Sequence, residues 1–204
     1  WTFFKEQYLG LFFAIAMAGI FLCVKSHPTE SSTGIPWYDW LLAGAGLLAG
    51  GYVTVMYPTI AYRLGVLSPE RWLLGGMAIL LILEATRRVV GWALVWVAVP
   101  IILYAKFAYL LPGMLNSRGS SWQRIASYLY LDSSGIFGLP FDVAAGIVVG
   151  FIFFGQALYA VGGDKFFTDI ALVLMGRYRG GTAKVADVSS TLFGTVSGSA
   201  VANV

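Results

Sequence analysis

From residue 188 to residue 204 the sequence carries no charged side chain, yet Ser189, Ser190, Thr191, Thr195, Ser197, Ser199 and Asn203 place oxygens beside Gly194 and Gly198. Hydroxyls, a side-chain amide and freed backbone carbonyls are hard oxygen ligands, which suit an alkali cation better than a transition metal. Inside a bilayer an unwound backbone persists only where it is buried in protein or lines a cavity, and glycine takes up irregular φ/ψ at little steric cost. An unwound segment over residues 195–199 would present Thr195, Ser197, Gly198 and Ser199 to a cation, with Asn203 bracing the tip or lending its own oxygen. The same residues carry a plainer reading. Gly194 and Gly198 spell Gly-x-x-x-Gly, and small residues let transmembrane helices approach closely. Residue types leave both readings open.

The second group with chemical potential is Glu84, Arg87 and Arg88. Glu84 and Arg88 are four residues apart and can pair along one helix face. They fall where two apolar runs join, so they are expected at a membrane interface as a structural charge cluster, snorkelling to headgroups or bridging subunits. The functional alternative is that the two arginines meet a substrate anion. Catalysis has little to stand on, and the chain is read as a non-enzyme. Cys23 is the only cysteine and His27 the only histidine, which excludes an internal disulfide or a cysteine cage. No histidine lies near Ser197 or Ser199 to serve as a base, and Lys184 sits well upstream. The run Gly-Gly-Thr-Ala-Lys lacks the spacing of a nucleotide-binding loop, and Arg177, Arg179 and Lys184 around it suit lipid headgroups.

The elements that must position these groups are membrane helices. Hydrophobic residues make up 58% of the chain and charged residues 11%, with a mean hydropathy of +0.78, far from the composition of soluble domains. The net charge of +3 is spread among loops and implies no nucleic-acid partner. Residues 8–24 form a first apolar run, and residues 26–39 read as a loop. Residues 40–62 form a second run in which Gly44, Gly46, Gly50 and Gly51 give one side little bulk for helix packing. Ser68, Pro69 and Glu70 are a helix start signal. At ~1.5 Å per residue, residues 72–111 would make about 60 Å of helix, twice the ~30 Å hydrocarbon core, so two passes are required, the second kinked near Pro100. Residues 123–131 suit a short helix on the membrane surface. Asp142 is then read as the cap of a further span over residues 143–161, which Gly162 and Gly163 break. Residues 166–175 are too short to cross and form an interfacial arm.

The fold class that follows is an all-α integral membrane protein with about five transmembrane helices and an interfacial arm helix, to which a family resemblance adds the start of a re-entrant helical hairpin. The chain opens on Trp1 and stops at Val204 inside an apolar pattern, which reads as a fragment of a longer protein. Basic loop residues divide almost evenly between the two sides, so charge alone leaves the orientation open.

Three stretches carry a family resemblance. Gly-Gly-Thr-Ala-Lys-Val-Ala from Gly180, followed by Ser-Ser-Thr-Leu-Phe-Gly-Thr-Val-Ser-Gly-Ser-Ala-Val-Ala-Asn-Val from Ser189, resembles the first re-entrant hairpin of the large membrane subunit of tripartite ATP-independent periplasmic (TRAP) transporters. Leu-Glu-Ala-Thr-Arg-Arg-Val-Val-Gly-Trp-Ala-Leu from Leu83, and Gly-Ile-Phe-Gly from Gly135 leading to Phe-Phe-Gly-Gln-Ala-Leu from Phe153, agree with it. The likeness runs from about Trp72 to the end and is closest to permeases that fuse the small and large subunits; Asp187 departs from it. It implies that residues 1–131 are a small-subunit-like four-helix scaffold with a linking segment, and residues 132–204 the start of the large transport subunit. It further implies a cytoplasmic N-terminus, a bacterial or archaeal cytoplasmic (inner) membrane, sodium as coupling ion, an organic acid as substrate and an extracytoplasmic solute-binding protein as partner. Carried onto this sequence, the ion site would fall at Ser197, Gly198 and Asn203, within the hairpin tip of Gly194, Thr195, Ser197, Gly198, Ser199 and Asn203.

Overall fold

The computed structural model describes residues 4–26, 35–62 and 68–197, and the chain divides into two compact units, Trp1–Phe141 and Asp142–Val204. All regular elements among the described residues are helical. The first unit holds α1 (Lys5–Cys23), α2 (Trp37–Ala61), α3 (Pro69–Val89), α4 (Trp92–Phe107) and α5 (Trp122–Leu131).

The glycines of α2 act where backbones touch. A Cβ on Gly50 would lie 2.5 Å from the Gly10 carbonyl oxygen and 2.6 Å from the Ala14 nitrogen, and one on Gly46 would lie 2.7 Å from Met17 Cβ. Gly46 and Gly50 therefore set the α1–α2 approach, whereas Gly44 and Gly51, expected on the same slim side, face open space. A polar contact locks the pair: Gln7 Nε2 donates to the Thr54 carbonyl at 2.9 Å, while Thr54 Oγ1 donates within α2 to the Gly50 carbonyl at 2.9 Å. Gly50→Ala should thus destabilise the protein by about 1–3 kcal/mol through overpacking, while Gly51→Ala should be nearly silent. Thermal unfolding of the two variants in detergent checks the contrast.

Helix α3 starts as its sequence signal indicates, with Ser68 at the cap position and Pro69 in the first turn. Ser68 Oγ, however, makes no capping bond and is buried without a hydrogen-bond partner. Helix α5 opens on Ser121, whose Oγ accepts from the Arg124 backbone N–H at 3.3 Å, and buries Ile125, Ala126, Tyr130 and Leu131. It lies against α3 where a Cβ on Gly75 would sit 2.5 Å from the Ala126 carbonyl oxygen. Tyr130 donates its hydroxyl to the Ala49 carbonyl of α2 at 2.5 Å; burial pushes that hydroxyl's pKa up, so it stays a donor. Phe13, Tyr130, Phe137 and Phe141 form a ring cluster with centroids 5.7–6.2 Å apart in tilted and edge-on pairs.

Among the described residues, four helical runs are long and apolar enough to cross a membrane: Lys5–Cys23, Trp37–Ala61, Trp92–Leu110 and Leu139–Ala160. Helix α3, with 21 residues, has the length but carries Glu70, Arg71, Glu84, Arg87 and Arg88. Two boundaries differ from expectation. Asp39 is not in a loop: α2 begins at Trp37, after Pro36. Asp142 is not a cap, because it lies inside α6 (Leu139–Val143), which continues through a π-helical turn at Ala144–Val148 into α7 (Val149–Ala160). Beyond the break at Gly162, whose φ of +85° suits glycine alone, come α8 (Gly163–Met175) and α9 (Gly181–Ser197).

Candidate functional site

The Glu84–Arg87–Arg88 group is a helix-end junction with a member that sequence reasoning missed. Arg88 Nη2 lies 2.7 Å from Asp39 Oδ1 and its Nε 2.8 Å from Glu84 Oε1, with the Arg88 side chain 1% and the Asp39 side chain 3% exposed. Asp39 Oδ1 sits off the N–H direction, so the contact is an ion pair rather than an aligned hydrogen bond. Arg88 Nη1 also donates to the Val24 carbonyl at 3.3 Å, and its guanidinium stacks over Phe21 at 5.0 Å. One side chain thereby ties the end of α1, the first turn of α2 and the last turn of α3. Arg87 is forked onto Glu84 by two 2.7 Å bonds, donates to Ser26 Oγ at 3.1 Å and lies over Trp92 at 5.6 Å. The four charges balance, two cationic and two anionic. Arg88 does not snorkel to an interface: it is buried, because it has two carboxylates to satisfy it. The signal that could have revealed Asp39 is its place three residues after Pro36, where an acidic side chain suits the positive end of a new helix.

Residues 188–197 of the oxygen-rich stretch lie in α9, in the second unit. Its hydroxyls divide by partner. Thr191 Oγ1 donates to the Asp187 carbonyl at 2.7 Å and Thr195 Oγ1 to the Leu192 carbonyl at 2.8 Å, both bonds within the helix. Ser189 Oγ instead lies 3.0 Å from Thr168 Oγ1 of α8, which also donates to the Asp164 carbonyl at 2.8 Å. Ser189 and Ser190 face a cavity of about 450 Å³ shared with Asp164, Thr168, Thr182 and Tyr159. Rings close its apolar wall, with Phe193 edge-on to Tyr159 at 6.4 Å and to Phe167 at 6.2 Å. Asp164 and Thr168 had not been singled out, although their i, i+4 spacing puts both on one face of α8.

Gly194 and Thr195 lie within α9, which is helical through Ser197. The unwinding expected from Thr195 is therefore corrected: residues 195–197 are helical. The Ser197 side chain, Gly198, Ser199 and Asn203 lie outside the described residues. At the turn before α9, Arg177 and Lys184 flank Tyr178 with their charges 5.8 and 5.5 Å from its ring. Among the described residues no three His, Cys, Asp or Glu side chains gather as a metal cage. What the cavity in the second unit offers a ligand is hydroxyl oxygen and the single carboxylate of Asp164, a set of hard oxygen donors.

Apolar helices long enough to cross a membrane, tied by the buried Arg88–Asp39 pair, together with a hydroxyl-bearing helix, define an all-α membrane protein. Residues 77–204 match the family model described as Tripartite ATP-independent periplasmic transporter, DctM component. That match covers more than half of the chain, and the chain belongs to this family: it is a TRAP transporter membrane component. No curated protein and no solved structure matches it.

Proposed function

We propose that this chain is the N-terminal part of a TRAP permease in the cytoplasmic membrane that imports an organic acid with sodium ions, the acid being delivered by an extracytoplasmic solute-binding protein. Residues 1–131 serve as a small-subunit-like scaffold with a linking segment, and residues 132–204 begin the transport domain. The single observation that carries the reading is α9: a helix free of charge from Val188 to Ser197, whose hydroxyls are shared between its own backbone, the neighbouring helix and a cavity that Ser189 and Ser190 line, in a chain of this family. Neutral oxygens offer little long-range attraction to a dilute anion, which supports dependence on a separate capture protein.

The test is uptake of a labelled acid by the full-length permease in liposomes. Uptake is expected only with an inward sodium gradient and the cognate binding protein together. Robust uptake with choline replacing sodium, or by the permease alone, would overturn the proposal.

The α8–α9 contact gives a narrower expectation. In a double-mutant cycle, Thr168→Val and Ser189→Ala should couple by about 0.6 kcal/mol, the usual worth of an interhelical side-chain bond in membrane proteins. Unfolding of the four proteins in mild detergent measures that coupling.

A further inference from the structure

The first unit contains a groove of about 1080 Å³ that the transport reading does not use, walled by α3, α4 and α5 with a contribution from α2. Its lining is almost wholly apolar, including Leu80, Val99 and Leu103, with Trp72 and Trp122 at one end and Glu84 at the other. Along α3, Trp72 and Glu84 are twelve positions apart, about 18 Å at ~1.5 Å per residue. That is slightly more than one leaflet of a hydrocarbon core ~30 Å thick, the depth of a single extended acyl chain. The two ends differ in what they offer a headgroup. Glu84 is already held by Arg87 and Arg88. At the other end Lys106 Nζ lies 5.9 Å over the Trp122 ring, and Gln123 lines the groove beside it. An apolar slot one leaflet deep, ending at tryptophans, an amide and a cation, is complementary to a lipid with a negative headgroup.

We infer that this groove holds one acyl chain of an anionic glycerophospholipid, its phosphate set against Lys106 and Gln123. The lipid fills the space between α3 and α4 and joins α5 to the rest of the unit.

Gly76 provides the probe, because it lines the groove and a Cβ there meets nothing within 4 Å. Larger side chains can enter the slot without striking backbone. The full-length permease, purified in mild detergent, is delipidated, incubated with phosphatidylglycerol or phosphatidylcholine, and read by native mass spectrometry. Wild type is expected to retain phosphatidylglycerol in preference to phosphatidylcholine. Gly76→Leu should lower phosphatidylglycerol retention about tenfold with folded yield unchanged. Lys106→Gln should abolish the preference between the two lipids while leaving an acyl chain bound. The inference is overturned if wild type retains neither lipid, if retention is indifferent to headgroup in wild type, or if both variants behave as wild type. It is also overturned if Gly76→Leu fails to fold and Lys106→Gln keeps the wild-type preference, since a helix of the protein or of a second copy would then occupy the groove.

Discussion

Asp39→Asn should destabilise the folded protein by about 3–5 kcal/mol, the cost of stranding one member of a buried ion pair, and this is the largest stability effect expected from a single polar substitution here. The side chain is small and its loss opens no cavity, so the effect is electrostatic. Arg88 would keep Glu84, but Glu84 must also satisfy Arg87, so two cations would share one carboxylate while the Arg88 side chain stays buried. Arg88→Gln should be about as severe, because it leaves Asp39 as a buried carboxylate without its cation. Arg87→Gln should be milder: its side chain is 19% exposed, and Glu84 retains Arg88. The measurement is recovery and thermal unfolding of the full-length permease in detergent, followed by the substrate concentration at half-maximal uptake for whatever folds. Loss of folded protein with unchanged substrate affinity fits a structural junction. Normal folded yield with collapsed affinity would make the arginines substrate ligands instead.

Gly198→Val should abolish sodium-dependent uptake while leaving the yield of folded permease close to wild type. Helix α9 is helical through Ser197, so the proposed ligand-presenting tip would have to begin beyond it. A β-branched residue resists the irregular backbone that a ligand-presenting tip requires. Ser197→Ala and Asn203→Ala should be subtler, raising the sodium concentration needed for half-maximal uptake, because in the proposed ion site each would remove one oxygen from a cation that takes roughly six. Flux assays at graded sodium in proteoliposomes separate the outcomes. Normal transport by Gly198→Val, with unchanged sodium dependence in both alanine variants, would identify Gly194 and Gly198 as a packing motif.

The parts of the architecture legible in the sequence were those decided by one local rule. Ser68-Pro69 announced α3, the positive φ of Gly162 matches a stop read from the Gly-Gly pair, and Gly46 and Gly50 packed as their spacing suggested. What escaped was decided by partners distant in the chain. Asp39 reads as the last polar residue of a loop until Arg88, far along the sequence, supplies the charge that lets it be buried. Ser189 and Thr195 are equivalent in composition, yet one reaches a neighbouring helix and the other bonds to its own. Periodicity cannot distinguish these uses, since a hydroxyl returned to the helix backbone and one aimed outward occupy the same kind of position.

The π turn at Ala144–Val148 has a geometric consequence for the cavity beside α9. A π turn accommodates one residue more than the α-helix around it, and one residue corresponds to about 100° of rotation in a helix of 3.6 residues per turn. The span therefore behaves as two cylinders keyed together out of phase, the turn acting as the offset between them. Tyr159, which lines the cavity and meets Phe193, owes its heading to that offset. The length of the chain before it, counted to the single residue, is part of how the cavity wall is aimed.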